Sequence, residues 1–130
     1  MAERSLDWLR QAEADLRHAR HSRDDRDYNW AAFAAHQAAE KAIKAVFQRR
    51  HLDAGGHTLS VLLENLPADG RPAEDLVDLA KELDKHYIPT RYPNGFERGA
   101  PVDFYTTREA EQAIANAEAI LEWCRRQIGG

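Results

Sequence analysis

With 130 residues and a single cysteine, Cys124, the chain is long enough for one domain with one core, and an internal disulfide is excluded. A formal net charge of −4 and a pI near 5.8 exclude attraction of the whole molecule to nucleic acid, so any RNA or nucleotide contact must come from a local basic patch. The N-terminus MAERSLDWLRQAEADL lacks the apolar centre of a signal peptide, and no apolar run approaches the roughly 18 residues of a membrane span; a soluble protein of the reducing cytoplasm is expected.

From Ala2 to about Ser22, Leu6, Leu9, Ala12, Leu16 and Ala19 recur at three- and four-residue steps, which predicts an amphipathic helix. RHARHSRDDRD then breaks the pattern, with Asp24, Asp25 and Asp27 as turn or cap residues. The stretch from Tyr28 to about Arg50 is alanine-rich and free of glycine and proline. At 100° per residue its apolar positions cover roughly 220°, too wide an arc for a surface helix and suited to a central one. His36 falls inside that arc and is expected to be buried on a hydrogen bond, the alternative being a ligand or interface histidine. Gln37, Glu40, Lys41 and Lys44 form the narrow polar side, with Glu40 and Lys44 in the favourable i,i+4 order.

HLDAGGH reads as a turn in which Gly55 and Gly56 supply left-handed backbone. Thr58 is placed to cap a short helix through Leu66, and His57 just before it stands either as an anion contact or as a packing residue of the turn. Pro72 opens the next helix, about Ala73 to Lys85. A final helix, capped by Thr106 or Thr107, carries Ala110, Ala113, Ile114, Ala117, Ile120, Leu121 and Cys124 on one face and is ended by Gly129 and Gly130. No segment has the period of a strand, so the expected fold is an all-α, up-and-down bundle of about five helices filling one domain, 1–130.

The segment Tyr87 to Tyr105, YIPTRYPNGFERGAPVDFY, is the unusual one. Three prolines and two glycines forbid a continuous helix, yet it holds five of the chain's eleven aromatics. Connections this long are usually functional or disordered. Two readings stay open: a loop whose rings pack over the end of the bundle, and a binding loop. For the second, Arg91 offers a fork for phosphate and Tyr92 a ring for a base, although both residues could equally lock the loop onto Asp84 or Glu82. Of the six histidines only His18 and His21 have helix-neighbour spacing, and no carboxylate or cysteine completes a metal site, so neither metal nor cofactor is expected.

Three phrases together resemble the HEPN domain family: AEADLRHA in the first helix, AAFAAHQAAEKAIKAVF followed by GHTLSVLLE, and LDKHYIPTRYPNGF before the last helix. The likeness spans nearly the whole chain, and the RYP segment is its most specific part. It implies a small helical module that often accompanies a minimal nucleotidyltransferase. Many members are metal-independent ribonucleases or toxins in which two subunits join Arg-x(4–6)-His motifs. Here no histidine follows Arg91, and Arg50 with His57, which do have six residues between them, flank the glycine turn instead. The resemblance therefore implies a non-catalytic, homodimeric module that binds nucleotide, RNA or a nucleotidyltransferase-domain partner. Arg91, Tyr92, Lys41, Lys44 and His57 are its candidate ligand-binding residues, and no catalytic residue is assigned. The alternative is an RNase toxin of a toxin–antitoxin pair.

Overall fold

The structure, a computed structural model, describes residues 3–129. Its elements are α1 (Ser5–Asp24), α2 (Tyr28–Arg49), α3 (Leu59–Glu64), α4 (Glu74–Asp84), α5 (Pro101–Phe104) and α6 (Thr107–Gly129). Among the described residues every element is helical, as the periodicity predicts. The sixth helix is α5, a single turn within the long connection, where a plain loop was expected. The expected first-helix start at Ala2 and the terminal Gly130 lie outside the described residues. No helix is long and apolar enough to cross a membrane.

α2 is the centre. Ala31, Ala32, Ala35, Ala38, Ala39, Ala42, Ile43 and Ala45 are fully buried, because α1 and α6 both seat on α2 while α3 and α4 close its remaining apolar side. The side chains missing from those alanines are what let the neighbouring backbones come close. The core is continuous from Ala12, Leu16 and Ala19 of α1 through Leu59, Leu62 and Leu63 of α3 to Ile114, Ile120, Leu121 and Cys124 of α6. The wide apolar arc is thus covered within one chain and by itself makes no demand for a second copy.

The ends of the first two helices differ from expectation. After α2 the left-handed residue is His51 (φ 57°), not Gly55 or Gly56, and Leu52 N–H bonds back to Phe47 O at 2.9 Å. After α1, Arg26 (φ 66°) plays the same part, with Asp27 N–H on Ser22 O at 2.8 Å. Both closures are Schellman motifs made without glycine. Gly56 (φ 87°) does use its freedom, one residue before His57. Thr58 does not cap α3 with its side chain. Asp84, at the end of α4, accepts from Leu59 N–H, from Ser60 N–H at 3.2 Å and from Ser60 Oγ at 2.6 Å, so a carboxylate from another helix does the capping. At α6 the expected cap is present: Thr106 Oγ1 accepts from Glu109 N–H (3.1 Å) while Glu109 Oε1 accepts from Thr106 N–H (3.2 Å).

Candidate functional site

The connection between α4 and α6 is anchored at its beginning. Thr90 is fully buried, its Oγ1 donates to His86 O at 2.7 Å, and its own carbonyl accepts from Asn29 Nδ2 at 3.0 Å. This pins the chain against the start of α2 just before the RYP sequence. At the far side Tyr105 Oη meets His86 Nδ1 at 2.9 Å. Burial lowers the pKa of His86 and pushes that of the Tyr105 phenol up to about 12. Between the anchors, Phe96 and Phe104 stack at 4.7 Å, and Val102 and Phe104 remain exposed.

Arg91 does not reach Asp84 or Glu82. Its Nε and Nη2 donate to Tyr87 O at 3.0 and 2.7 Å, and its guanidinium carbon lies 4.1 Å from the centre of the Phe33 ring, 4.7 Å from Tyr87 and 5.1 Å from Tyr92. A guanidinium held this way keeps Nη1 for another acceptor while stiffening the loop, so Arg91 serves both open readings. Tyr92 is half exposed.

His57 stands on the same side. Its Nδ1 lies 3.0 Å from both oxygens of Glu40, a carboxylate only 5% exposed that also takes the Lys44 ammonium at 3.0 Å in the expected i,i+4 pair. The His57 ring stacks on Tyr87 with centroids 4.8 Å apart and planes 16° apart. Its backbone carbonyl accepts from His36 Nε2 at 3.1 Å, and Gln37 Nε2 donates to His36 Nδ1 at 3.1 Å, which sets the His36 tautomer. His36 is fully buried, as its place in the arc predicts, and desolvation lowers its pKa, so it stays neutral.

These contacts join into a ladder of planar groups along one face: Trp30 edge-on to Phe33 (6.0 Å), Phe33 under Arg91, Arg91 over Tyr87, and Tyr87 on His57. Trp30 is 49% exposed. At the His57 end opens a cleft of about 460 Å³ lined by His57, Thr58, Asp84, Lys85, Tyr87, Ile88 and Pro89.

Of the expected binding residues, the structure gathers Arg91, Tyr92, His57 and, through Glu40, Lys44. Lys41 stands on the same stripe of α2 as Trp30 and Phe33, lining a hollow with them, and its ammonium is paired with Asp15 of α1. Arg50 and His57 are not joined either: Arg50 Nη2 donates to Asp69 at 3.0 Å. Trp30, Phe33, Tyr87 and Lys85 were missed. Trp30 and Phe33 share a helical face with Gln37 and Lys44, a spacing visible in the sequence, but only the fold shows that the loop returns to that face.

The arrangement belongs to a helical module whose loop, folded back on the central helix, presents rings and cations together. The HEPN domain family matches residues 5–127, and the chain belongs to that family. Among solved structures it is similar to TT1696 from Thermus thermophilus (TM-score 0.94, 47% identity, covering 97% of this chain and 99% of that one). It is similar also to ST0689, described as an archaeal HEPN homologue (TM-score 0.83, 39% identity, 98% and 99% covered). A curated relative from Methanocaldococcus jannaschii, named "Putative toxin MJ1304", is 26% identical over 124 residues, covering 88% of this chain and 82% of the relative.

Proposed function

We propose that this HEPN protein is a non-catalytic, homodimeric binding module that takes nucleotide or RNA on the ladder running from Trp30 through Phe33, Arg91 and Tyr87 to His57, with Tyr92 beside it. The observation that supports the reading is the alternation itself: flat rings that can stack on bases, interleaved with a guanidinium and an imidazole that can meet phosphates. Stacking tolerates any base, so the module discriminates little between sequences.

The test is a thermal-shift and affinity series against nucleotides and short RNAs, because a ligand of the folded state alone raises the midpoint with its concentration. Arg91 holds the loop as well as facing the ligand, so the cleaner variants are Trp30→Ala and Tyr92→Ala, whose half-exposed rings support little of the core. Each should cost about 1–3 kcal/mol of RNA affinity, the usual worth of one stacked base, with Arg91→Ala costing at least as much. Undiminished binding in folded variants would reject the ladder. No shift with any nucleotide or RNA would transfer this face to a protein, a nucleotidyltransferase-domain partner first.

A second reading, an RNase toxin of a toxin–antitoxin pair, is favoured by the name of the Methanocaldococcus relative. Metal-independent cleavage of tRNA or mRNA that disappears in His57→Asn would support it against the binding module.

A further inference from the structure

We infer that the cleft between the start of α3 and the end of α4 is a pocket for a phosphomonoester, the end group of a nucleotide or of an RNA strand whose bases lie on the ladder. The inference rests on the nucleotide reading above and adds which chemical end of the ligand is recognised, and where.

Four observations carry it. First, His57 and Tyr87 belong to both the ladder and the cleft, so a ligand laid along the rings from Trp30 runs into this space of about 460 Å³, which is larger than a phosphate alone requires. Second, His57 is oriented for a ligand. Nδ1 is held by the buried Glu40 carboxylate, the ring is fixed by its stack on Tyr87, and Nε2 has no protein partner among the described residues. Third, Lys85 is exposed at the cleft wall and, among the described residues, its ammonium has neither an ion pair nor a hydrogen bond. Fourth, the two acids nearby are already engaged: Asp84 accepts from Leu59 and Ser60, and Glu40 from Lys44 and His57. The α3 amides are therefore not the anion site; the side chains are.

The chemistry selects the ligand. With Nδ1–H given to the Glu40 carboxylate, the neutral His57 ring presents a lone pair at Nε2. A phosphomonoester matches the cleft by donating its P–OH to Nε2 while its other oxygens accept from the Lys85 ammonium, whereas a planar carboxylate is matched best by a guanidinium fork, which the cleft lacks. An internal phosphodiester carries one charge and must leave the pocket at both ends. It also has no P–OH to give to Nε2. A terminal phosphate carries that proton and the phosphodiester of a continuing strand does not.

The experiment compares one short RNA in three forms, 5′-phosphorylated, 3′-phosphorylated and without terminal phosphate, together with UMP and uridine, on the wild-type protein, Lys85→Ala and His57→Asn. A separate arm titrates phenyl phosphate while the His57 ring protons are followed by NMR. The expected result is that one phosphorylated RNA, and UMP over uridine, binds about tenfold more tightly, the size of one charge-assisted hydrogen bond. That preference is lost in Lys85→Ala, an exposed change that leaves the fold intact, while binding to the phosphate-free RNA is kept. A preference for UMP without one for either RNA end would assign the pocket to free nucleotides and still support it. RNA binding with no preference in any form, and His57 protons that ignore phenyl phosphate, would overturn the pocket and leave the ladder standing. A phenyl phosphate response without any RNA or nucleotide binding would refute the ladder and, with it, the end-group role assigned here.

Discussion

Removing the Asp84 carboxylate should destabilise the protein far more than its place at the end of a surface helix suggests. In Asp84→Ala the backbone N–H groups of Leu59 and Ser60 and the Ser60 hydroxyl lose their acceptor together. Both residues are buried, at 0% and 7% exposure, so water replaces the acceptor poorly. A lost N-cap costs typically about 1 kcal/mol, and a hydrogen bond to a charged group about 1.5–3 kcal/mol. These overlap in one carboxylate that is itself only partly buried, which gives about 2–3 kcal/mol for the variant, a large share of the roughly 5–15 kcal/mol that holds a domain folded. Urea unfolding followed by far-ultraviolet circular dichroism measures it: the midpoint should fall while the slope is unchanged. Asp84→Asn, which keeps one acceptor oxygen, should lose about half as much. In a double-mutant cycle with Ser60→Ala, a coupling of about 1 kcal/mol is expected for the hydroxyl. A loss below about 0.5 kcal/mol in Asp84→Ala, the range of ordinary surface changes, would show that α3 does not depend on α4 for its cap.

Two further outcomes are expected. His36 and His86 are both held neutral by burial, with pKa values below the ordinary 6.5. Below that pH the unfolded chain therefore binds more protons than the folded one, and stability falls as pH drops through and below about 6.5; a urea midpoint equal at pH 7.5 and about pH 5 would contradict this. In light scattering at micromolar concentration the protein should run as a homodimer, since Leu6, Val61, Val102 and Phe104, none of them in the ladder or the cleft, leave large apolar side chains exposed, and a strict monomer would remove the dimer from the proposal.

The elements were readable because their residues obey one period over many turns. Leu6 to Ala19 predicts α1, and the unbroken alanine-rich stretch predicts α2 together with its central position and the burial of His36. Capping was readable only where it is local. Thr106 and Glu109 are three residues apart and form the expected cap, whereas the cap of α3 comes from Asp84, 24 to 25 residues downstream, which no window around Thr58 contains. The helix ends at Arg26 and His51 were hidden for a different reason: a left-handed residue is signalled by glycine, and neither is one. At the site, Arg91, Tyr92 and His57 stand out by residue type, but the ladder is made by a loop crossing back to α2. Lys41 was legible by its place on the polar side of α2, but its pairing with Asp15 of α1, 26 residues upstream, was not.

The alanine seam along α2 gives that helix two faces under unlike constraints. On the seam, where Ala32, Ala35, Ala38, Ala39, Ala42 and Ala45 have no exposed surface, any larger side chain must push a whole neighbouring helix aside, and a smaller one is available only as glycine, which weakens the helix. Substitution there is closed in both directions. The stripe of Trp30, Phe33, Gln37, Lys41 and Lys44 carries no such volume limit, and its residues differ in size, charge and ring chemistry. A single helix thus keeps the scaffold constant on one side and leaves the other free of that volume limit, so the residues of that stripe can change without the bundle having to be repacked.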